Sequence, residues 1–114
     1  MCMKRVSLDE NLDRRLKSYF SSDFDVISVP DLGWQAKKNG ELLIAMRENG
    51  LDILLTSDRN LSFQQNLVDA GVQVAIILAF DNRLKALVRS IDQIETGLRD
   101  LTASDEYVEI DIRT

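Results

Sequence analysis

The sequence predicts an α/β fold, a three-layer α/β/α sandwich around a mostly parallel central sheet. Three observations predict it. Short apolar runs alternate with stretches whose apolar residues recur at helical spacing. Val72 to Phe80 is apolar almost without a break, as expected for a strand covered on both faces. Strands that alternate with helices imply parallel pairing through crossover connections, with helices on both faces.

The elements follow in order. Lys4 to Leu8 reads as a strand that turns polar at Asp9. Leu12, Leu16, Tyr19 and Phe20 recur at helical spacing and predict an amphipathic helix over 10–20. Asp25 to Val29 is a second strand, closed by Pro30, which cannot donate to a ladder. Residues 31–39 are loop-like, with Trp34 expected to cover the core beside Pro30 or to stack on a base. A helix is expected over 41–48, with Leu42, Leu43 and Met46 inward, ended by Asn49-Gly50. Leu51 to Thr56 is the third strand. Residues 57–66 are polar apart from Leu61 and Phe63 and should hold a helical turn. After the Val72–Phe80 run, Leu84, Leu87, Val88, Ile91, Ile94 and Leu98 trace one helical stripe. Tyr107 to Ile112 alternates apolar and polar residues, as a half-exposed edge strand does.

Composition bounds the chemistry. The 114 residues, 45% hydrophobic, are expected to form a single domain over 1–114 with a core that needs no staples. Histidine is absent and Cys2 is the only cysteine. A Ser-His-Asp triad and a structural zinc site are therefore excluded, and the lone thiol fits a reducing cytoplasm. The longest apolar run is far below the ~20 residues of a membrane helix, so a soluble protein without a membrane partner is expected. A net charge of −5 argues against broad nucleic-acid binding, though not against a local basic rim.

Three acids stand out by position: Asp9 after strand one, Glu41 at a helix start and Asp58 after strand three. Ligands in open α/β sheets bind outside the carboxyl ends of strands. Two carboxylates about 4 Å apart repel by roughly 4 kcal/mol at an effective dielectric of ~20, so acids that converge there call for a cation or a proton. Oxygen ligands suit Mg²⁺ or Mn²⁺. The competing reading is capping. Asp9 and Asp58 stand where helix N-caps belong, Ser7-Leu8-Asp9-Glu10 has the form of a capping box, and Asn39 with Glu41 suits a helix start. Spacing alone leaves both open.

Several segments together resemble the small prokaryotic PIN-like proteins related to toxin nucleases of toxin–antitoxin pairs. They are Leu8-Asp9-Glu10-Asn11, Leu32-Gly33-Trp34, Lys38-Asn39-Gly40-Glu41-Leu42-Leu43, Leu55-Thr56-Ser57-Asp58-Arg59-Asn60-Leu61, Phe63-Gln64-Gln65-Asn66-Leu67 and Asn82-Arg83-Leu84. They span about residues 5–90. The resemblance implies a PIN-like α/β/α fold and an acidic Mg²⁺ or Mn²⁺ site that hydrolyses RNA phosphodiester bonds. It assigns Asp9, Glu41 and Asp58 as catalytic and metal-binding residues, with Thr56 as the hydroxyl of a Thr-x-Asp motif. Lys38, Arg59 and Arg83 would form a basic rim on the RNA backbone, and Asn60 and Gln64 would bind phosphate or water. A small antitoxin protein is an implied partner, and the 84–98 stripe could share in a homodimer interface. The chain departs from the family at Asn60, where a further acid is common, with Asp81 as a candidate substitute.

Two alternatives remain at this point. One is a PIN-like module that has lost catalysis and binds a protein. The other is a receiver-like phospho-acceptor domain, which shares acids after strands one and three but needs a Ser or Thr where strand four ends in Leu78-Ala79-Phe80.

Overall fold

Val6 and Leu8 face one way from their strand and Ser7 the other, and the sheet is built on that alternation. The computed structural model describes residues 4–9, 11–28, 39–57, 72–81, 83–101 and 107–113. Strands β1 (Lys4–Leu8), β2 (Phe24–Ser28), β3 (Ile53–Thr56), β4 (Gln73–Leu78) and β5 (Tyr107–Asp111) form one sheet. Its order is β2-β1-β3-β4-β5, and every pairing is parallel.

Both faces are covered. On one, Val6, Leu8, Ile53, Leu55, Ala75, Ile77 and Ile110 pack under α2 (Leu84–Arg89), α3 (Ile91–Arg99) and a short 3₁₀ helix (Arg14–Tyr19). On the other, Leu54, Val74, Ile76 and Leu78 meet Met46 of α1 (Asn39–Glu48). The β3 and β4 positions that face α1 are as apolar as those beneath α2 and α3, which explains their unbroken hydrophobic runs. At the sheet's edge, Glu109 and Asp111 of β5 are exposed while Ile110 is buried, as the alternation predicts.

The end of α1 follows its sequence signal. Gly50 has φ +72°, Leu51 N donates to Met46 O at 2.9 Å, and Gly50 N donates to Arg47 O at 3.2 Å. This paired closure satisfies the last helical carbonyls and needs a residue at ease in the left-handed region. Leu42 and Leu43, expected on the inner face, have side chains outside the described residues, as do Pro30, Trp34 and most of 57–66.

Five expectations are corrected. The helix over 10–20 is only the 3₁₀ helix Arg14–Tyr19. Its N-cap is Asp13, which accepts from Arg15 N at 2.9 Å, so neither Asp9 nor a Ser7 capping box starts it. Ser7 lies inside β1, fully buried. Tyr19, the last residue of the 3₁₀ helix, is 50% exposed rather than inward, while Leu12 and Leu16 are buried. The stripe over 84–98 is two helices, parted at Ser90 (φ −109°, ψ 18°). Finally, β4 stops at Leu78, and Phe80 is 83% exposed.

Candidate functional site

A sheet of this order reverses its winding between β1 and β3, and the crevice outside the carboxyl ends of those two strands is where such folds bind ligands. Asp9 follows β1 there, and Thr56-Ser57 end β3. Asp9 N donates to Leu55 O at 2.9 Å, which continues the parallel pairing one residue past β1. Leu12 N donates to Asp9 O at 3.0 Å and turns the chain back sharply.

The side chains then interlock. Thr56 Oγ1 donates to Asp9 Oδ2 at 2.8 Å, in a buried bond between residues 47 apart in sequence. Asn11 Nδ2 donates to Thr56 Oγ1 at 3.2 Å. Ser57 N reaches Asn11 Oδ1 at 3.4 Å, a longer and weaker contact. Thr56 is fully buried and Asp9 is 8% exposed. A carboxylate so far from water is tolerable only where polar partners surround it, and the Thr56 hydroxyl is one. A carboxylate, a hydroxyl and a carboxamide thus meet at one strand end, all of them oxygen donors of the kind that hard divalent ions accept.

Alternation places Thr56 on the same face as Leu54, the face that α1 covers. The carboxyl end of α1 leads through Gly50 to the amino end of β3, where Asp52 N donates to Arg5 O at 3.1 Å. Its first turn, with the exposed Glu41, therefore lies toward the end of the sheet that carries Asp9. Asp58 lies outside the described residues, as do Lys38, Arg59, Asn60 and Gln64. Among the described residues, no three acids stand close enough together to hold a metal ion.

Arg83 stands beyond the carboxyl end of β4 with its side chain 87% exposed. Its guanidinium donates to both oxygens of Asp81, with contacts of 3.1–3.2 Å, and its backbone N donates to Asp81 Oδ1 at 2.9 Å. The side-chain bond from Arg83 holds the Asp81 carboxyl below its ordinary range, and the same bond raises Arg83. Arg83 is thus a partly matched cation. Asp81, the candidate to replace the charge missing at Asn60, is engaged by its own neighbour.

Asn11 and Ser57, to which the sequence assigns no role of their own, both belong to this network. Their sequence signal is the Asp9-x-Asn11 spacing and the hydroxyl pair Thr56-Ser57 before Asp58. No family model matches the chain, and no curated protein or solved structure matches it.

Proposed function

We propose that the protein is a PIN-like, Mg²⁺- or Mn²⁺-dependent ribonuclease whose site is the crevice at the ends of β1 and β3, with a small antitoxin-like protein as its natural partner. The observation that carries this reading is the buried Asp9 carboxylate, tied to the Thr56 hydroxyl at the sheet's switch point. A buried acid at the one place where such sheets take ligands is a costly arrangement for a purely structural role.

The donor set fits a hard divalent ion. Asp9 would hold it with Asp58, the second residue after Thr56, while Glu41 would hold it or orient the attacking water. When bound, such an ion supplies neutralisation of developing phosphate charge and a water of lowered pKa. The chain's own part is positioning. Thr56 fixes one Asp9 oxygen, Asn11 fixes the Thr56 hydroxyl, and the pairing of Asp9 N with β3 fixes the loop. Lys38, Arg59 and Arg83 would meet the RNA backbone, and Asn60 and Gln64 its phosphate.

The strand order also suits a receiver-like phospho-acceptor. That reading is the weaker, because β4 runs out into Ala79 and an exposed Phe80 with no hydroxyl at its end. The test is Mn²⁺-dependent cleavage of single-stranded RNA by the wild type, Asp9→Asn and Asp58→Asn. Cleavage by the wild type and its loss in both variants is expected. Equal cleavage by all three sinks the nuclease assignment. No cleavage by any of them, with Mn²⁺ still bound in calorimetry, points instead to a module that has lost catalysis and binds a protein.

A further inference from the structure

Against α2 and α3 lies a hollow that the switch-point site does not use. Its volume is about 570 Å³, and it lies between the strand ends Ala79–Asp81 and Ile112 on one side and Ala86, Arg89, Ser90, Asp92 and Gln93 on the other. A second hollow of about 320 Å³ runs on along α2 past Arg83 and Lys85, and the two share Asp81, Ala86 and Arg89. Together they form one groove. Three features of it point the same way. Phe80, 83% exposed, lines the hollow and offers it an accessible aromatic side chain. Arg89, exposed, lies in both hollows and has no ion-pair partner among the described residues, and with Arg83 and Lys85 it outnumbers the two acids of the walls, Asp81 and Asp92. Ser90 and Gln93 add hydrogen-bonding groups to the wall. An aromatic face beside a cationic track, with polar groups between, is what a single strand of nucleic acid takes: a base stacks and its phosphates follow the cations.

We propose that this groove seats a nucleotide of single-stranded RNA, with a base on Phe80 and the adjoining phosphate on Arg89. The substrate class rests on the nuclease reading, but Phe80, Arg89, Ser90 and Gln93 have no part in that reading. Its position suits the same strand of RNA. The β4 end lies one strand from β3 and two from β1, and Ala79 lies three residues beyond Ile76, the β4 residue level with Thr56, so the groove begins about 14 Å from Asp9 at the same end of the sheet. A strand held on Phe80 would thus be led toward the crevice.

The test separates binding from cleavage. A fluorescein-labelled single-stranded RNA of about ten nucleotides is titrated, in EDTA, with the full chain carrying Asp9→Asn, and affinity is read by anisotropy across a salt series. Phe80→Ala added to that chain should weaken binding about tenfold, the loss of one base stack. Arg89→Gln should weaken it and lower the slope of log affinity against log salt by about 0.7, the loss of one phosphate contact to a single strand. Tyr19→Ala, an exposed aromatic at the end of the 3₁₀ helix, should bind unchanged, and thermal melts check that each variant is folded. Unchanged binding by Phe80→Ala and Arg89→Gln, an equal loss with Tyr19→Ala, or no binding by the parent chain overturns the groove. Phe80-dependent binding without cleavage by the wild type would sink the nuclease and keep the groove. Cleavage with binding indifferent to Phe80 would do the reverse.

Discussion

Replacing Thr56 by Val deletes one hydroxyl and almost nothing else, and that hydroxyl joins both sides of the candidate site. It donates to Asp9 Oδ2 at 2.8 Å and accepts from Asn11 Nδ2 at 3.2 Å, at a residue with no exposed surface. A hydrogen bond to a charged group is worth about 1.5–3 kcal/mol, and the added methyl cannot replace it, although Thr and Val have similar volumes. The expected loss is about 2 kcal/mol, the middle of that range. For a chain of this length the entropy of unfolding converts this to a fall in melting temperature of about 8 °C. Thermal unfolding followed by circular dichroism at neutral pH measures it. Thr56→Ser keeps the hydroxyl and loses only a methyl, so it should keep the bond to Asp9 and fall less than Val. A Val variant that melts with the wild type, or a Ser variant that melts below Val, would refute the claim that this hydroxyl holds the acid in place.

Two further outcomes follow from the packing and the charges. A Cβ added at Gly97 in α3 would lie 2.7 Å from Ile110 Cγ1 and 2.8 Å from its Cδ1. Ile110 is buried and stiff at χ1, so Gly97→Ala should lose about 1–3 kcal/mol to overpacking against about 1 kcal/mol gained in helix propensity. A lowered urea midpoint with an unchanged slope is expected, and a raised midpoint would show that β5 yields more readily than its burial implies. The Asp13 carboxyl is lowered to about 2, first by the side-chain bond from Arg15 and then by Arg15 N. Its folded value lies below the unfolded one, so its contribution to stability is present above about pH 4 and is lost as the pH falls toward 2. An NMR titration of Asp13 should place its midpoint near that low value and return it toward about 3.9 in Arg15→Ala; no movement would rule out Arg15 as the cause.

The sheet was legible because its signals are local. Leu51 to Thr56 and Val72 to Leu78 carry apolar residues on both faces, and only a strand buried on both sides asks for that. Gly50 marked the end of α1 for the same kind of reason, since one residue sets one turn. What stayed hidden depends on competition or distance. The 3₁₀ helix lost its first turn because the Asp13 carboxylate captures Arg15 two residues on, a better cap than Asp9, which is held across the sheet by Leu55 O. The break at Ser90 cannot be read from the stripe, because Val88, Ile91 and Ile94 keep their spacing across it. Phe80 reads as a continuation of β4, and only the course of the chain at Ala79 sends it outward. At the site, Asp9 and Thr56 were found by type, but their contact spans 47 residues and Asn11's part in it depends on the fold.

The place of β1 in the sheet also sets an order of events in synthesis. Although first in order, β1 lies inside, between β2 and β3. Val6 faces Ile53 and Leu8 faces Leu55 across a sequence gap of the same 47 residues that separates Asp9 from Thr56. At about 5–20 residues per second, a ribosome needs several seconds to deliver β3 after β1. Through that interval the apolar side of β1 has only β2 beside it, and the Asp9 loop has nothing to close against. The crevice is completed in the same step that completes the centre of the sheet, so a chain that stops short of β3 holds Asp9 without the Thr56 that fixes it.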